Sequence, residues 1–295
     1  MPGTLVISPQ AGLGNRLRAL SSAIVLARQL GREIRHAWHP VAPNDPRPHV
    51  AALQPHGLHS FFVPGATLPG VAPGQHIDLG FSEWRPGDYW FPFQSHAQRG
   101  LAARDMRQAY NAADAAAGHA DAGTILIETS LCLRLSTALG GCTDDHDFMR
   151  ARHTAYAALS PRPEYLAWLA ALPDVDIGIA IRRGDLLRYS PESQQNLDAI
   201  CAWVRRVAQH RRVTVFSDDA DARRHVQDAI PGYTRLPRLE QELARLPIHV
   251  SAFLQFLYLA QKCMVVCGTP GSSFAYEAAV FSGKRFVDVL SDIDA

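Results

Sequence analysis

From residue 177 onward, short apolar runs alternate with longer mixed ones, and this alternation restricts the fold more than any other feature. IGIAIR (177–182), VTVFS (213–217), CMVVCG (263–268) and RFVDV (285–289) read as strands, and YTRLP (233–237) is strand-like. Between them, a segment starting near Pro191, DADARRHVQDAI (219–230), HVSAFLQFLYLAQK (249–262) and SSFAYEAAVFSG (272–283) read as helices. Strands alternating with helices form a parallel sheet with both faces covered. TLVIS (4–8), NRLRALSSAIVLARQLGR (15–32) and EIRHAW (33–38) repeat the pattern. Leu17, Leu20, Ile24 and Ala27 give the helical spacing, Asn15 is the expected N-cap and Gly31 the expected stop. TILIET (124–129) adds a strand and the run 102–120 a helix. The expectation is an α/β chain of two facing Rossmann-like domains, 1–160 and 161–295, with a Pro-marked joint at ALSPRPEYLAWLAALP.

Residues 40–100 interrupt this rhythm with Pro, Gly, His and aromatics, a density of Pro that forbids long regular elements. Phe61, Phe62, Trp84, Tyr89, Trp90, Phe91 and Phe93 argue for an ordered surface rather than a loose linker. Rings in 56–96 suit stacking on a sugar face, and equally suit a core.

Open α/β sheets bind ligands at the carboxyl ends of their strands. Three such ends carry polar clusters: Arg182, Arg183 and Asp185; Ser217, Asp218 and Asp219; and GTPGSS, with Gly271, Ser272 and Ser273 at a helix start. Each alone has a plainer explanation: an ion pair, an N-cap by Asp218 or Asp219, a turn with a cap. Together they describe a pyrophosphate cradle, with arginine forks, backbone N–H groups and a helix dipole, and an aspartate for a nucleobase or ribose.

A net charge of +1 with no long basic run gives no general attraction to nucleic acid. No signal-peptide pattern or membrane-length apolar run occurs, and five scattered cysteines suggest neither disulfides nor zinc. Cys263 and Cys267 read as core fillers. A cytoplasmic location is expected, with peripheral attachment at the inner membrane face left open. GLGNRL (12–17) has Leu17 where a dinucleotide fingerprint needs its third glycine, which counts against a nicotinamide enzyme with Glu33 on the ribose. DVD (174–176), DID (292–294) and DDHD (144–147) are acidic runs that suggest a divalent metal, but the first two read better as solvated surface.

The motifs taken in order are similar to a known set. AGLGNRLRALSSAIVLARQLGREIRHAW, IGIAIRRGD, VTVFSDDADA and FLQFLYLAQKCMVVCGTPGSSFAYEAAVFSGK resemble, in sequence order, the signatures of the fucosyltransferase superfamily. That superfamily contains the α-1,2-, α-1,6- and protein O-fucosyltransferases and the rhizobial nodulation fucosyltransferase. The resemblance implies a GT-B fold and inverting, metal-independent transfer from GDP-fucose to a hydroxyl acceptor on a glycan or glycoconjugate, with no cofactor. It implies that Arg182 binds the β-phosphate, that Asp185 holds that segment and that Asp218 or Asp219 accepts from guanine. It implies further that Ser272 and Ser273 contact the diphosphate, and that Asn15 and Arg16 face it from the amino-terminal loop. The motif histidine is Ala180 here, so another nucleotide-sugar donor, or a silent nucleotide- or glycan-binding module, stays open. For the catalytic base the candidates are Glu192 and, at the matching spot, Ser190.

Overall fold

The computed structural model describes residues 3–9, 11–36, 58–63, 89–91, 112–119, 121–183, 197–231, 233 and 237–291. The chain divides into two compact units, Met1–Arg162 and Pro163–Ala295.

In the first unit β1 (Thr4–Pro9) leads through α1 (Leu13–Gln29) to β2 (Glu33–His36); β3 (Tyr89–Phe91), β4 (Thr124–Thr129) and α2 (Asp145–Tyr156) follow. The sheet has the order β2-β1-β4-β3, and every pair is parallel. Leu5 and Ile7 stand opposite Ile125 and Ile127 in the register, and all of them are buried. That burial explains why β1 and β4 read as unbroken apolar runs rather than as alternating ones.

α1 starts three residues earlier than an N-cap at Asn15 predicts. Gly12 takes the N-cap position and Asn15 lies in the first turn. The helix ends where expected, with Gly31 at φ +61°, a conformation that disfavours any residue with a side chain. Residues 112–118 are helical and His119 is in a turn; residues 102–111 and 120 of the expected helix lie outside the described residues.

The sequence reading missed α2. Its N-cap is Asp144, which accepts from the Asp147 N–H at 2.7 Å, and Phe148, Arg152, Ala155 and Tyr156 form its buried stripe. Within the Pro-rich region, Phe61 and Phe62 are buried and the Val63 amide bonds to the Ser160 carbonyl. These two rings are core, not an exposed wall.

The second unit runs α3 (Pro163–Ala170), β5 (Val175–Ile181), α4 (Leu197–Val207), β6 (Val213–Ser217), α5 (Ala220–Asp228), α6 (Pro237–Arg245), α7 (Ile248–Lys262), β7 (Cys263–Gly268), α8 (Ser273–Ser282) and β8 (Phe286–Asp288). The Pro-marked joint contains α3, and at the strand-like YTRLP Tyr233 lies outside any element while Pro237 opens α6; residues 234–236 lie outside the described residues. Both prolines stand at the first helical position, where a missing N–H costs nothing and a fixed φ helps.

The parallel sheet has the order β6-β5-β7-β8. The chain leaves β5 toward β6 on one side, then returns to place β7 on the other. The direction of winding therefore reverses between β5 and β7, and strand ends at such a reversal are where open α/β sheets bind ligands.

Packing around this point is close. A Cβ on Gly178 would lie 2.4 Å from Cys263 Sγ and 2.7 Å from Leu259 Cδ2. Cys263 and Cys267 are buried as expected of core fillers, and burial pushes both thiols up, Cys267 to about 12. Asp174 pairs with Lys262 at 3.1 Å and Asp176 with Arg212 at 3.8 Å, so DVD is an ion-paired surface. Among the described residues no helix is long and apolar enough to cross a membrane.

Candidate functional site

The site candidates fall into two groups, one in each unit. In the second unit, β5 delivers Arg182 and Arg183 at its carboxyl end, both half-buried. Each of their backbone amides is held by a side chain from a neighbouring strand end. Arg182 N–H donates to Thr269 Oγ1 at 3.2 Å, and Arg183 N–H donates to Asp218 Oδ1 at 2.8 Å.

Thr269 also donates its own N–H to the Ala180 carbonyl at 3.3 Å, while its carbonyl accepts from Ser272 N–H at 2.9 Å. The β5–β7 ladder, which pairs Ala180 with Gly268, thus continues for one more residue after β7 has begun to turn. The Thr269 hydroxyl replaces the carbonyl that the turn has taken. Pro270 and Gly271 form the corners of that turn, and Gly271 has φ +76°, which fits a type II turn.

The turn aims the chain into α8. Ser272 occupies the N-cap, yet its side chain makes no capping hydrogen bond and the first turn of α8 has no acidic residue. The Ser272 hydroxyl is buried and has no hydrogen-bond partner among the described residues. An N-cap serine ordinarily accepts from an N–H of the first turn. Here a buried hydroxyl and uncapped N–H groups at the positive end of a helix dipole are all left for something else, which is the chemistry of an anion site. Ser273, also buried, opens the helix.

The SDD cluster is already engaged. Ser217 Oγ accepts from Asp219 N–H at 3.1 Å, and Asp219 Oδ1 caps α5 by accepting from the N–H groups of Asp221 and Ala222 at 2.9 and 3.0 Å. Asp219 Oδ2 lies 3.7 Å from Arg183 Nε. A nucleobase would find one oxygen of Asp218 committed to Arg183 and one of Asp219 to the cap. Ala180, at the place of the motif histidine, is buried and registers against Phe216 and Gly268. Asp185, Ser190 and Glu192 lie outside the described residues.

The first unit has its own reversal, between β1 and β4. Ala11 takes φ +68° there, an uncommon conformation for a residue with a side chain. Arg16 is wholly buried, donates from Nε to the Ala11 carbonyl at 2.9 Å, and has its pKa lowered by burial to about 10, so it remains a cation at neutral pH. Arg18 donates to Asn15 Oδ1 and to the Ser130 carbonyl, each at 2.8 Å, and so ties the start of α1 to the end of β4. With its oxygen so occupied, the Asn15 amide keeps its NH₂ group for other partners. The residue pattern gives no sign of Arg18 and gives Thr269 only as one hydroxyl of the GTPGSS turn; their roles come from register.

DDHD behaves mainly as a helix start. Asp144, His146 and Asp147 have potential ligand atoms within 4.8 Å of one another, but all three are at least partly exposed. Asp144 is the cap, and Asp147 accepts from Thr143 Oγ1 at 3.0 Å and Arg150 at 2.8 Å.

No protein-family model matches the chain, and no curated protein matches it by sequence. Solved structures do match its fold. The NodZ α-1,6-fucosyltransferase soaked with GDP-fucose superposes with a TM-score of 0.63 at 20% identity, over 95% of this chain and 93% of that one. NodZ from Bradyrhizobium, as a selenomethionine structure, gives 0.63 and 20% over 100% and 96%. Arabidopsis thaliana FUT1 R284K in complex with GDP gives 0.57 and 11%, over 98% of this chain and 70% of that one. These neighbours are of the GT-B type, in keeping with the α/β, parallel-sheet architecture expected of the sequence. The chain shares the fold of these structures.

Proposed function

We propose that the chain is a glycosyltransferase that moves L-fucose from GDP-fucose to a hydroxyl acceptor, with inversion and without a metal ion. The fold likeness to fucosyltransferases, some of them solved with GDP or GDP-fucose, supports the reaction class. The observation that carries the reading is the buried Ser272 hydroxyl, unused as a cap at an acid-free helix start. It lies in the same turn as Thr269, which bonds the Arg182 amide.

In this reaction the acceptor oxygen attacks the anomeric carbon. The bond from that carbon to the β-phosphate oxygen breaks, and its electron pair leaves with GDP. Negative charge therefore grows on the diphosphate. Arg182, the N–H groups at the start of α8 and the Ser272 hydroxyl are the groups that stabilise it, in a sheltered place where such donors count for more than in water. Glu192, with Ser190 as the other candidate, takes the acceptor proton. The first unit takes the acceptor side, and Asn15 and Arg16 keep the role toward the donor diphosphate that the resemblance implies. A cytoplasmic location belongs to the proposal, and the five free cysteines fit a reducing compartment.

A different nucleotide-sugar donor is the second reading. Ala180 in place of the motif histidine favours it, as do the commitments of Asp218 and Asp219.

Thermal-shift measurements with GDP, UDP, dTDP and ADP and their sugars test both readings. GDP and GDP-fucose are expected to raise Tm most. A larger shift with another nucleotide would transfer the mechanism to that donor, and no shift with any would end it. Turnover is the second test: Arg182→Ala is expected to fold normally by circular dichroism and to lose about 10²- to 10³-fold in rate.

A further inference from the structure

We propose that Thr269 and Asp218 are positioning residues that clamp the Arg182–Arg183 dipeptide from the two strands flanking β5. The consequence for catalysis rests on the reading of Arg182 as the leaving-group donor; the clamp itself does not.

β5 ends at Ile181, so neither arginine has a backbone ladder to hold its amide. Left to solvent, the dipeptide would be free to rotate about its backbone dihedrals. Instead β7 supplies Thr269 Oγ1 to Arg182 N–H at 3.2 Å, and β6 supplies Asp218 Oδ1 to Arg183 N–H at 2.8 Å. Two adjacent amides held from opposite sides fix both Cα positions, and hence the points from which the guanidinium groups extend. The Thr269 hydroxyl has this task because Ser272 N–H occupies the Thr269 carbonyl. The turn that builds the start of α8 and the contact that places Arg182 are therefore one device. Asp218 acts here as a hydrogen-bond acceptor for backbone, not as a reader of a base. An acceptor oxygen is all the clamp needs, whereas a base reader that takes two N–H groups needs a carboxylate.

The discriminating variants are isosteric. Thr269→Val removes the hydroxyl and keeps the shape, and Thr269→Ser restores the hydroxyl. Asp218→Ala removes the acceptor, and Asp218→Asn restores it without the charge. Amide hydrogen exchange of the nucleotide-free protein reads the clamp directly. The Arg182 amide is expected to exchange about tenfold faster in Thr269→Val, and the Arg183 amide about tenfold faster in Asp218→Ala, with Ser and Asn each recovering most of the protection.

In donor turnover, Thr269→Val is expected to lower kcat about tenfold while donor KM stays within about threefold, the signature of a contact that matters in the transition state. Asp218→Asn is expected to recover the affinity for GDP that Asp218→Ala loses. Unchanged exchange in both Thr269→Val and Asp218→Ala would overturn the clamp. So would an Asp218→Asn variant as weak toward GDP as Asp218→Ala, which would make the residue a base reader. The Asp218 pair decides the matter even if Thr269→Val does not fold. A wild-type protein with protected amides but no nucleotide binding would refute the donor reading and leave the clamp standing.

Discussion

Gly268 and Ala275 lie so close that a Cβ on the glycine would stand 2.6 Å from the Ala275 Cβ and 3.1 Å from Phe286 Cε2. The first turn of α8 is thereby pressed against the last residue of β7. This contact sets where the uncapped N–H groups and the Ser272 hydroxyl sit relative to the end of β5. Gly268→Ala is expected to destabilise the protein by about 1–3 kcal/mol through overpacking. Its denaturation midpoint should fall, and GDP affinity should fall further because α8 must shift. An unchanged midpoint would show that the contact is slack.

The Ser272 hydroxyl separates stability from binding. A buried hydroxyl without a partner costs roughly 1–3 kcal/mol. Ser272→Ala should therefore raise the Tm of the nucleotide-free protein while weakening GDP about tenfold, if one hydrogen bond to phosphate is lost. Calorimetry on both states checks the pair of signs. A loss of stability without loss of affinity would assign Ser272 to the fold alone.

Arg18 is expected to matter as a strut in the first unit. Arg18→Met keeps the stem but removes the donors to Asn15 and Ser130, and a hydrogen bond from a charged group is worth about 1.5–3 kcal/mol. Urea denaturation should lose about that much. The Asn15 side-chain NH₂ resonances should at the same time lose their distinct environment.

The buried thiols predict an alkaline decline. Burial raises Cys267 from 9.0 to about 12 and also raises Cys263. Below pH 9 both thiols are protonated, folded or unfolded, and their contribution is complete. As pH rises from 9 toward 12 the unfolded chain ionises first, binds fewer protons than the native state, and stability falls. Arg16 works the other way, since burial lowers its pKa from the ordinary arginine value to about 10 and the cost of keeping its charge buried is relieved above that pH. Tm measured between pH 8 and 11 should thus fall more steeply in the wild type than in Cys263→Ala/Cys267→Ala. Equal slopes would mean that the thiols are not the cause.

The sheet of the second unit was legible because its strands are buried on both faces and its helices are long. VTVFS and CMVVCG are strands over those same residues. The misses have specific causes. Pro163 and Pro237 look like breaks in a sequence, but at the first position of a helix they are starts. Asp144 belongs to an acidic run that suggested metal, so its capping geometry, with Asp147 three residues on, went unread. The strand-end clusters announced an anion site, yet Thr269 did not stand out among them. Its role depends on the pairing of Ala180 with Gly268 and on a carbonyl diverted to Ser272. Neither the pairing nor the diversion is a property of residue type.

The central claim is that a nucleoside diphosphate binds where β5 and β7 end. A crystal structure of the protein with GDP tests it most directly. The account predicts the diphosphate at the amino end of α8, within hydrogen-bond distance of the Ser272 hydroxyl and of the Arg182 guanidinium. A diphosphate bound away from both residues would contradict it.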